Sequence, residues 1–235
     1  NDLQSSTFVK NKVVISDMIV VSEDKKIPDV VIKDLVDGVE SDLKDKIQFN
    51  TVKELLVYSY RVAGTVGLMM AKILNVRDKR ALKGAIDLGI AMQLTNISRD
   101  VVEDYKMNRE YIKDDFENIK STLKLADMFY ESSFSSLKRI PIRYRFAIIV
   151  ARRVYRQIGR EIIKKKNIEN YKRSGKIYVD NFGKITQTIL SFVDLIKLFF
   201  VKIEKHQRSQ EHDIIKSEIN LNERIWLYYY RLSLI

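Results

Sequence analysis

Gln93, Asn96, Asp100 and Asp104 follow one another at steps of three, four and four. At 100° per residue they project as one narrow polar stripe along a helix. Two carboxylates one turn apart repel by roughly a few tenths of a kcal/mol on an exposed helix, and by more when partly buried. A cation would offset that repulsion. Mg²⁺ suits the position, because it takes one or two carboxylates and completes its octahedron with waters and the oxygens of a substrate phosphate. Arg99 and Arg109 could hold the same phosphate bidentately. The plainer alternative is a solvated acidic helix end, with Asp100, Glu103 and Asp104 paired locally to Arg99 and Lys106. Gln93 and Asn96 weigh against it, since they lie deeper in an apolar stretch and buried amides need partners.

Towards the N-terminus the stripe continues through Gly89 and Ala85, which leave room beside the helix. Ile86, Ile90, Leu94, Ile97 and Val101 form an adjoining apolar stripe, so the polar end opens onto an apolar groove. A second stretch, YSYRVAGTVGLMM at 58–70, repeats small residues every four positions at Ser59, Ala63 and Gly67, with Gly64 weakening the helix beside them. Alone, that pattern means close helix packing. Beside a carboxylate and amide wall, it also fits a slot for a long apolar substrate with an anionic head.

The 235 residues are 46% hydrophobic, enough for a full core, and are read as one domain. Only eight Gly and two Pro interrupt long stretches of three-to-four periodicity, which predicts an all-α fold. The first 24 residues signal weakly. Helices are expected after Pro28 (with Val31, Leu35 and Val39 on one face), over 52–74, 80–105 and 118–137, after Pro141, and over 185–205. The divisions expected are 1–184 as the helical domain and 185–235 as an amphipathic C-terminal extension. The absence of cysteine excludes a disulfide scaffold and thiolate metal sites, and the start carries no signal-peptide pattern, so a cytoplasmic setting is expected. The chain begins at Asn1 rather than Met, which suggests a fragment or a processed product.

The net charge of +11 is concentrated: residues 138–176 carry fourteen Lys and Arg against Glu161 and Glu169, leaving the remainder near neutral. Nucleic acid is the weakest of three readings, because no recognised binding motif accompanies the charge. The others are a solvated basic face and attraction to anionic lipid or a diphosphate. No run reaches the roughly 18–20 apolar residues of a membrane span. SFVDLIKLFFV and the closing WLYYYRLSLI are read first as core packing and second as interfacial contact, peripheral to the inner face of a membrane. His206 and His212 lack a ligand set for zinc and are taken as surface residues.

Three blocks resemble the squalene and phytoene synthase family of head-to-head prenyltransferases, in the style of bacterial phytoene or dehydrosqualene synthases. They are LVDGVESDL at 35–43, YSYRVAGTVGLMM at 58–70, and LGIAMQLTNISRDVVEDYKMNREYI at 88–112. A fainter likeness continues through ARRVYRQI at 151–158. The resemblance implies an isoprenoid-synthase helical bundle that joins two geranylgeranyl or farnesyl diphosphates, through a cyclopropyl intermediate, to a C40 or C30 product. Asp100 and Asp104 would bind Mg²⁺ (or Mn²⁺) bridging to diphosphate, and NADPH would enter only in a squalene-type reaction. Gln93 and Asn96 would line the site, with Arg99, Arg109 and Tyr111 on phosphate oxygens. Tyr58 would assist ionisation or proton loss, Tyr155 would stand near the diphosphate pocket, and Ala63, Gly67 and Gly89 would face the tail. Ser59 stands where the family has Cys, and Asn108 where Gly is common. The family's first aspartate-rich motif has no match here; by the family's order it would precede Asn1. The alternative expectation is a prenyl-diphosphate-binding remnant without catalysis.

Overall fold

The computed structural model describes residues 2–201 and 209–226. Helices dominate: α1 (Asp2–Lys25), α2 (Asp29–Ser41), α3 (Val52–Ser59), a π-helical turn (Tyr60–Gly64), α4 (Thr65–Ile73), α5 (Lys79–Arg99), α6 (Val101–Lys106), α7 (Phe116–Phe134), a 3₁₀ turn (Ser135–Arg139), α8 (Ile142–Ile163), α9 (Ile168–Arg173), α10 (Asn181–Phe200), α11 (Gln210–Glu218) and α12 (Leu221–Trp226). Two dipeptide strands, β1 (Ile47–Gln48) and β2 (Arg109–Glu110), pair in parallel.

Local chemistry sets the boundaries. Pro28 and Pro141 precede α2 and α8, where a missing N–H costs nothing. Thr51 and Glu54 close a capping box on α3, and Asp78, Asp115, Asn167 and Asp180 cap α5, α7, α9 and α10 through their side chains. Asn108 turns the chain out of α6 at φ 58°, a left-handed conformation that Gly or Asn tolerates.

Helix α5 is the central element. Ile86, Ile90, Leu94 and Ile97 are buried with Leu56, Tyr60, Leu68, Phe129 and Tyr130 from α3, the π turn, α4 and α7, while Val101, at the start of α6, is buried in a second cluster with Phe116, Ile119 and Ile162. Residues 185–201 and 209–226 return to this core through Leu198, Ile215, Ile219 and Ile225.

Several expectations are corrected. The helix expected over 52–74 contains the π turn, and that over 80–105 bends at Asp100, where φ −103° and ψ 13° leave helical geometry while the flanking hydrogen bonds persist. Residues 2–25 are helical; among residues 12–25 the apolar side chains of Val13, Val14, Ile15, Met18, Ile19 and Val20 are all exposed, so no buried face announces the helix. In α2 the inner face is Val31, Asp34 and Gly38, and Val39 is exposed. Asp34 turns inward because it accepts the Tyr60 hydroxyl and a bidentate Arg224, and Gly38 because any side chain there would strike Arg61 and Val62.

His212 is not a surface residue. It is 5% exposed, its Nε2 lies 3.1 Å from Asp87 Oδ1, and Ser132 Oγ donates to the other oxygen of Asp87. His206 and the closing residues 227–235 lie outside the described residues. The basic stretch is not a solvated face throughout either. Arg152 is buried and donates to the Tyr130 carbonyl, Arg153 pairs with Asp194, Arg156 with Asp127 and Glu131, and Arg145 caps the carbonyls of Lys138 and Ile140.

Candidate active site

The bend at Asp100 gives the two carboxylates of the stripe different surroundings. Arg99 Nε and Nη2 donate to the two oxygens of Asp100 at 2.8 and 2.6 Å, and Lys176 Nζ stands 3.0 Å from Oδ1. Burial alone would raise the Asp100 pKa, but these two cations hold it below the usual carboxylate value. The Asp104 carboxylate forms no hydrogen bond or ion pair among the described residues. Burial first, and then the charge of Asp100, push its pKa up to about 6, with Arg109 and Lys176 opposing. One carboxylate is therefore compensated and the other waits for positive charge.

Behind them, the amides meet an apolar groove of about 460 Å³ between α4, α5 and α8. Gln93 and Asn96 line its polar end, and Met70, Leu88 and Ile148 belong to its apolar wall. Asn96 Oδ1 is buried without a hydrogen-bond partner, and an orphaned acceptor of this kind costs about 1–3 kcal/mol unless something else satisfies it. Ser59 Oγ is also orphaned, which fits a position where the resembled family carries a thiol.

The small-residue stripes serve packing before anything else. A Cβ at Gly67 would lie 2.1 Å from the Ala85 carbonyl oxygen, and one at Gly89 would lie 2.2 Å from that of Ala63. The two helix backbones thus touch along the stripe. Ala63, Gly67, Ala85 and Gly89 border the groove as the floor of this seam and do not open a slot between the helices.

Two of the tyrosines gather beside Asp42. Tyr58 and Tyr111 are 7% and 6% exposed, their rings stack with centroids 4.9 Å apart, and Phe49 packs against both. Each hydroxyl donates to one oxygen of Asp42 at 2.8 Å, and the phenol oxygens stand 3.1 Å apart. Tyr111 accordingly gives its hydroxyl to Asp42. Burial raises both phenols, Tyr111 to about 12. Arg109 Nη2 reaches the Asp42 carbonyl at 3.3 Å while acting electrostatically on Asp104. Tyr155 is half-buried between the two core clusters and, with Tyr178, is an electrostatic neighbour of Arg99.

A continuous set of groups thus runs from Tyr58, Tyr111 and Asp42 through Arg109 to Asp104, Asp100 and Lys176, and on to Arg99 and Tyr155. Sequence spacing alone does not mark Asp42 or Lys176. Asp42 sits inside the LVDGVESDL block, where two other acids, Asp37 and Glu40, compete for attention. Lys176 follows a Gly-containing break and reaches Asp100 only in three dimensions. Tyr171 supports the same corner by donating to the carbonyls of Ser98 and Arg99 at the end of α5.

Residues 6–116 match the squalene/phytoene synthase family. The chain is 37% identical over 149 residues to a 15-cis-phytoene synthase of Paracoccus sp., covering 56% of this chain and 49% of that protein. It is 38% identical over 137 residues to the corresponding enzyme of Enterobacter agglomerans, covering 49% and 46%. A crystal structure of a dehydrosqualene synthase superposes with a TM-score of 0.61 at 28% identity, over 73% of this chain and 67% of that one. The chain spans about half the length of the curated relatives it matches. With the all-α architecture and the site built on α5, these likenesses make residues 6–116 of the chain similar in sequence, and the described fold similar in structure, to the squalene/phytoene synthase family.

Proposed function

We propose that this chain carries the second aspartate-rich face of a phytoene-type synthase, which joins two prenyl diphosphates head to head. The observation that carries the reading is an Asp104 carboxylate without a hydrogen bond or ion pair among the described residues, acted on by Arg109 and Lys176 and one turn from the Arg99-paired Asp100, on the helix face that Gln93 and Asn96 continue into the polar end of an apolar groove. The groove takes the isoprenoid tail, and the cations receive the diphosphate as it departs. Buried apolar walls keep water from the allylic cation.

The residues fit Mg²⁺ held jointly with substrate. Asp100 and Asp104 are hard oxygen donors one turn apart, Asp104 makes no direct ion pair among the described residues, and the Asn96 oxygen lacks a partner. Among the described residues no group of three or more acids or histidines could hold a metal ion unaided. Bound there with diphosphate, Mg²⁺ would neutralise the leaving group's charge. Arg109 and Lys176 flank the Asp100–Asp104 pair, and Gln93 and Asn96 orient the head of the substrate.

Calorimetry with farnesyl thiodiphosphate tests the reading. Binding should require Mg²⁺ and be lost in Asp104→Asn; binding unchanged without Mg²⁺ would refute it. Incubation with geranylgeranyl diphosphate and Mg²⁺, followed by product extraction, separates turnover from binding. Binding without product would favour the remnant reading, in which one metal-binding face holds diphosphate without ionising it.

We also infer peripheral contact with an anionic lipid surface through α10. No helix among the described residues is long and apolar enough to cross a membrane. Helix α10 nevertheless turns Phe182, Ile189, Phe192, Phe199 and Phe200 outward while burying Gln187, Ser191 and Asp194. Lys184 and Lys197 flank this apolar face, and the chain carries +11. Flotation with phosphatidylglycerol vesicles should capture the chain and lose Ile189→Glu; equal capture of both would exclude α10 as the contact.

A further inference from the structure

Helix α2 and the turn that ends it carry two aspartates that look alike in sequence, eight positions apart, and each accepts a tyrosine hydroxyl from the YSYRVAG segment. Asp34 receives Tyr60 and is closed off by the bidentate Arg224. Asp42 receives Tyr58 and Tyr111 together, at 2.8 Å each, and its own backbone carbonyl accepts Arg109. Arg109 and Tyr111 lie in and directly after β2, and the ladder to β1 binds that strand to the segment just beyond Asp42. The side chain and the main chain of one residue therefore hold the same short strand at two points. The strand has little else: it is two residues long, and Arg109 follows Asn108 in a left-handed conformation.

We propose that Asp42 is a positioning residue for diphosphate binding, fixing the 109–111 strand so that Arg109 faces Asp104. The proposal rests on the prenyl-diphosphate reading above and deepens it. Asp42 touches neither substrate nor metal; it acts through Arg109. Loss of its carboxylate frees Tyr111, loosens the strand, and leaves Arg109 tethered by one carbonyl contact. Asp34 provides the internal control, because its partners are Tyr60 and Arg224 and none of them belongs to the acidic site.

A double-mutant cycle on Mg²⁺-dependent binding of farnesyl thiodiphosphate tests this. Asp42→Asn should weaken binding about tenfold, as expected for loss of a charge-assisted hydrogen bond that orders the strand. Arg109→Ala should weaken it by at least as much. The double variant should bind no worse than Arg109→Ala alone, since both act through one group. Asp34→Asn should leave affinity unchanged, with circular dichroism verifying that each variant is folded, and Asp42→Glu should recover part of the loss. Additive effects of Asp42→Asn and Arg109→Ala, or Asp42→Asn binding as wild type, would overturn the role of Asp42 while sparing the binding reading. Failure of the wild type to bind would overturn both. Should Asp42→Asn not fold, Tyr111→Phe, which removes only the tethering hydroxyl, must show the same coupling to Arg109 or the proposal fails.

Discussion

The helix α5 and its continuation into α6 treat buried acid in opposite ways at their two ends. Near the start, Asp87 is 2% exposed and its oxygens are taken by Ser132 and His212. At the far end, the Asp104 carboxylate has no hydrogen-bonding partner among the described residues and Asn96 keeps an orphaned oxygen. Satisfied polar groups inside a protein hold elements together, whereas unsatisfied ones mark places where a ligand is to supply the missing contact. Asp87 ties α7 and α11 to the central helix, and Asp104 ties nothing.

Breaking the satisfied end should produce the largest effect. Asp87→Ala strands a buried imidazole and a hydroxyl, and should lower stability by about 3 kcal/mol in urea unfolding. Mg²⁺-dependent diphosphate affinity per folded molecule should survive; its loss would join the two ends functionally and remove the contrast.

The seam between them comes next. Gly67→Ala places a Cβ against the Ala85 carbonyl and must push α4 from α5, at a cost of about 2 kcal/mol. An unchanged urea midpoint would mean that the helices separate freely.

Relieving the unsatisfied end should act in the other direction. The folded-state pKa of Asp104 lies at about 6, above the ordinary aspartate value of 3.8, so the folded chain holds this proton more tightly. Its contribution is complete below pH about 4 and is lost as pH rises through about 6. Without divalent cation, Asp104→Asn should therefore gain about 1 kcal/mol at pH 7, allowing for solvent screening, and almost nothing at pH 4. Urea titrations at the two pH values read the difference, and equal effects at both would contradict the raised pKa.

Smallest is Ser59→Cys. Replacing an orphaned buried hydroxyl by a thiol should stabilise by about 0.5–1 kcal/mol, measured as a rise in the urea midpoint. A loss of stability would show that the hydroxyl is satisfied in solution.

Much of α5 is legible in its residues alone. The stripe at Gln93, Asn96, Asp100 and Asp104 and the buried series Ile86 to Val101 follow from helical periodicity, because neighbours three and four apart must share a face. The bend at Asp100 is not legible there, since it is set by pairing with Arg99 and by Lys176 from a distant segment. The small-residue stripes announce close approach, but not its occupant, which is a second backbone. His212 reads as a surface residue because its polar neighbours in sequence suggest solvent, while its actual surroundings are Asp87, Ser209 and the Phe129 ring.

The sequence by itself determined the longer helices from α2 to α8 and α10, and the motifs of the resembled family, because 3.6-residue periodicity acts over a few neighbouring positions. Only the tertiary structure decided which acids are spent on structure and which are left for a ligand. Asp34, Asp42, Asp87 and Asp104 share one side chain, and they differ through neighbours up to 190 positions away in the chain. Hydrogen bonds and desolvation depend on what folding brings alongside, and no local pattern records that.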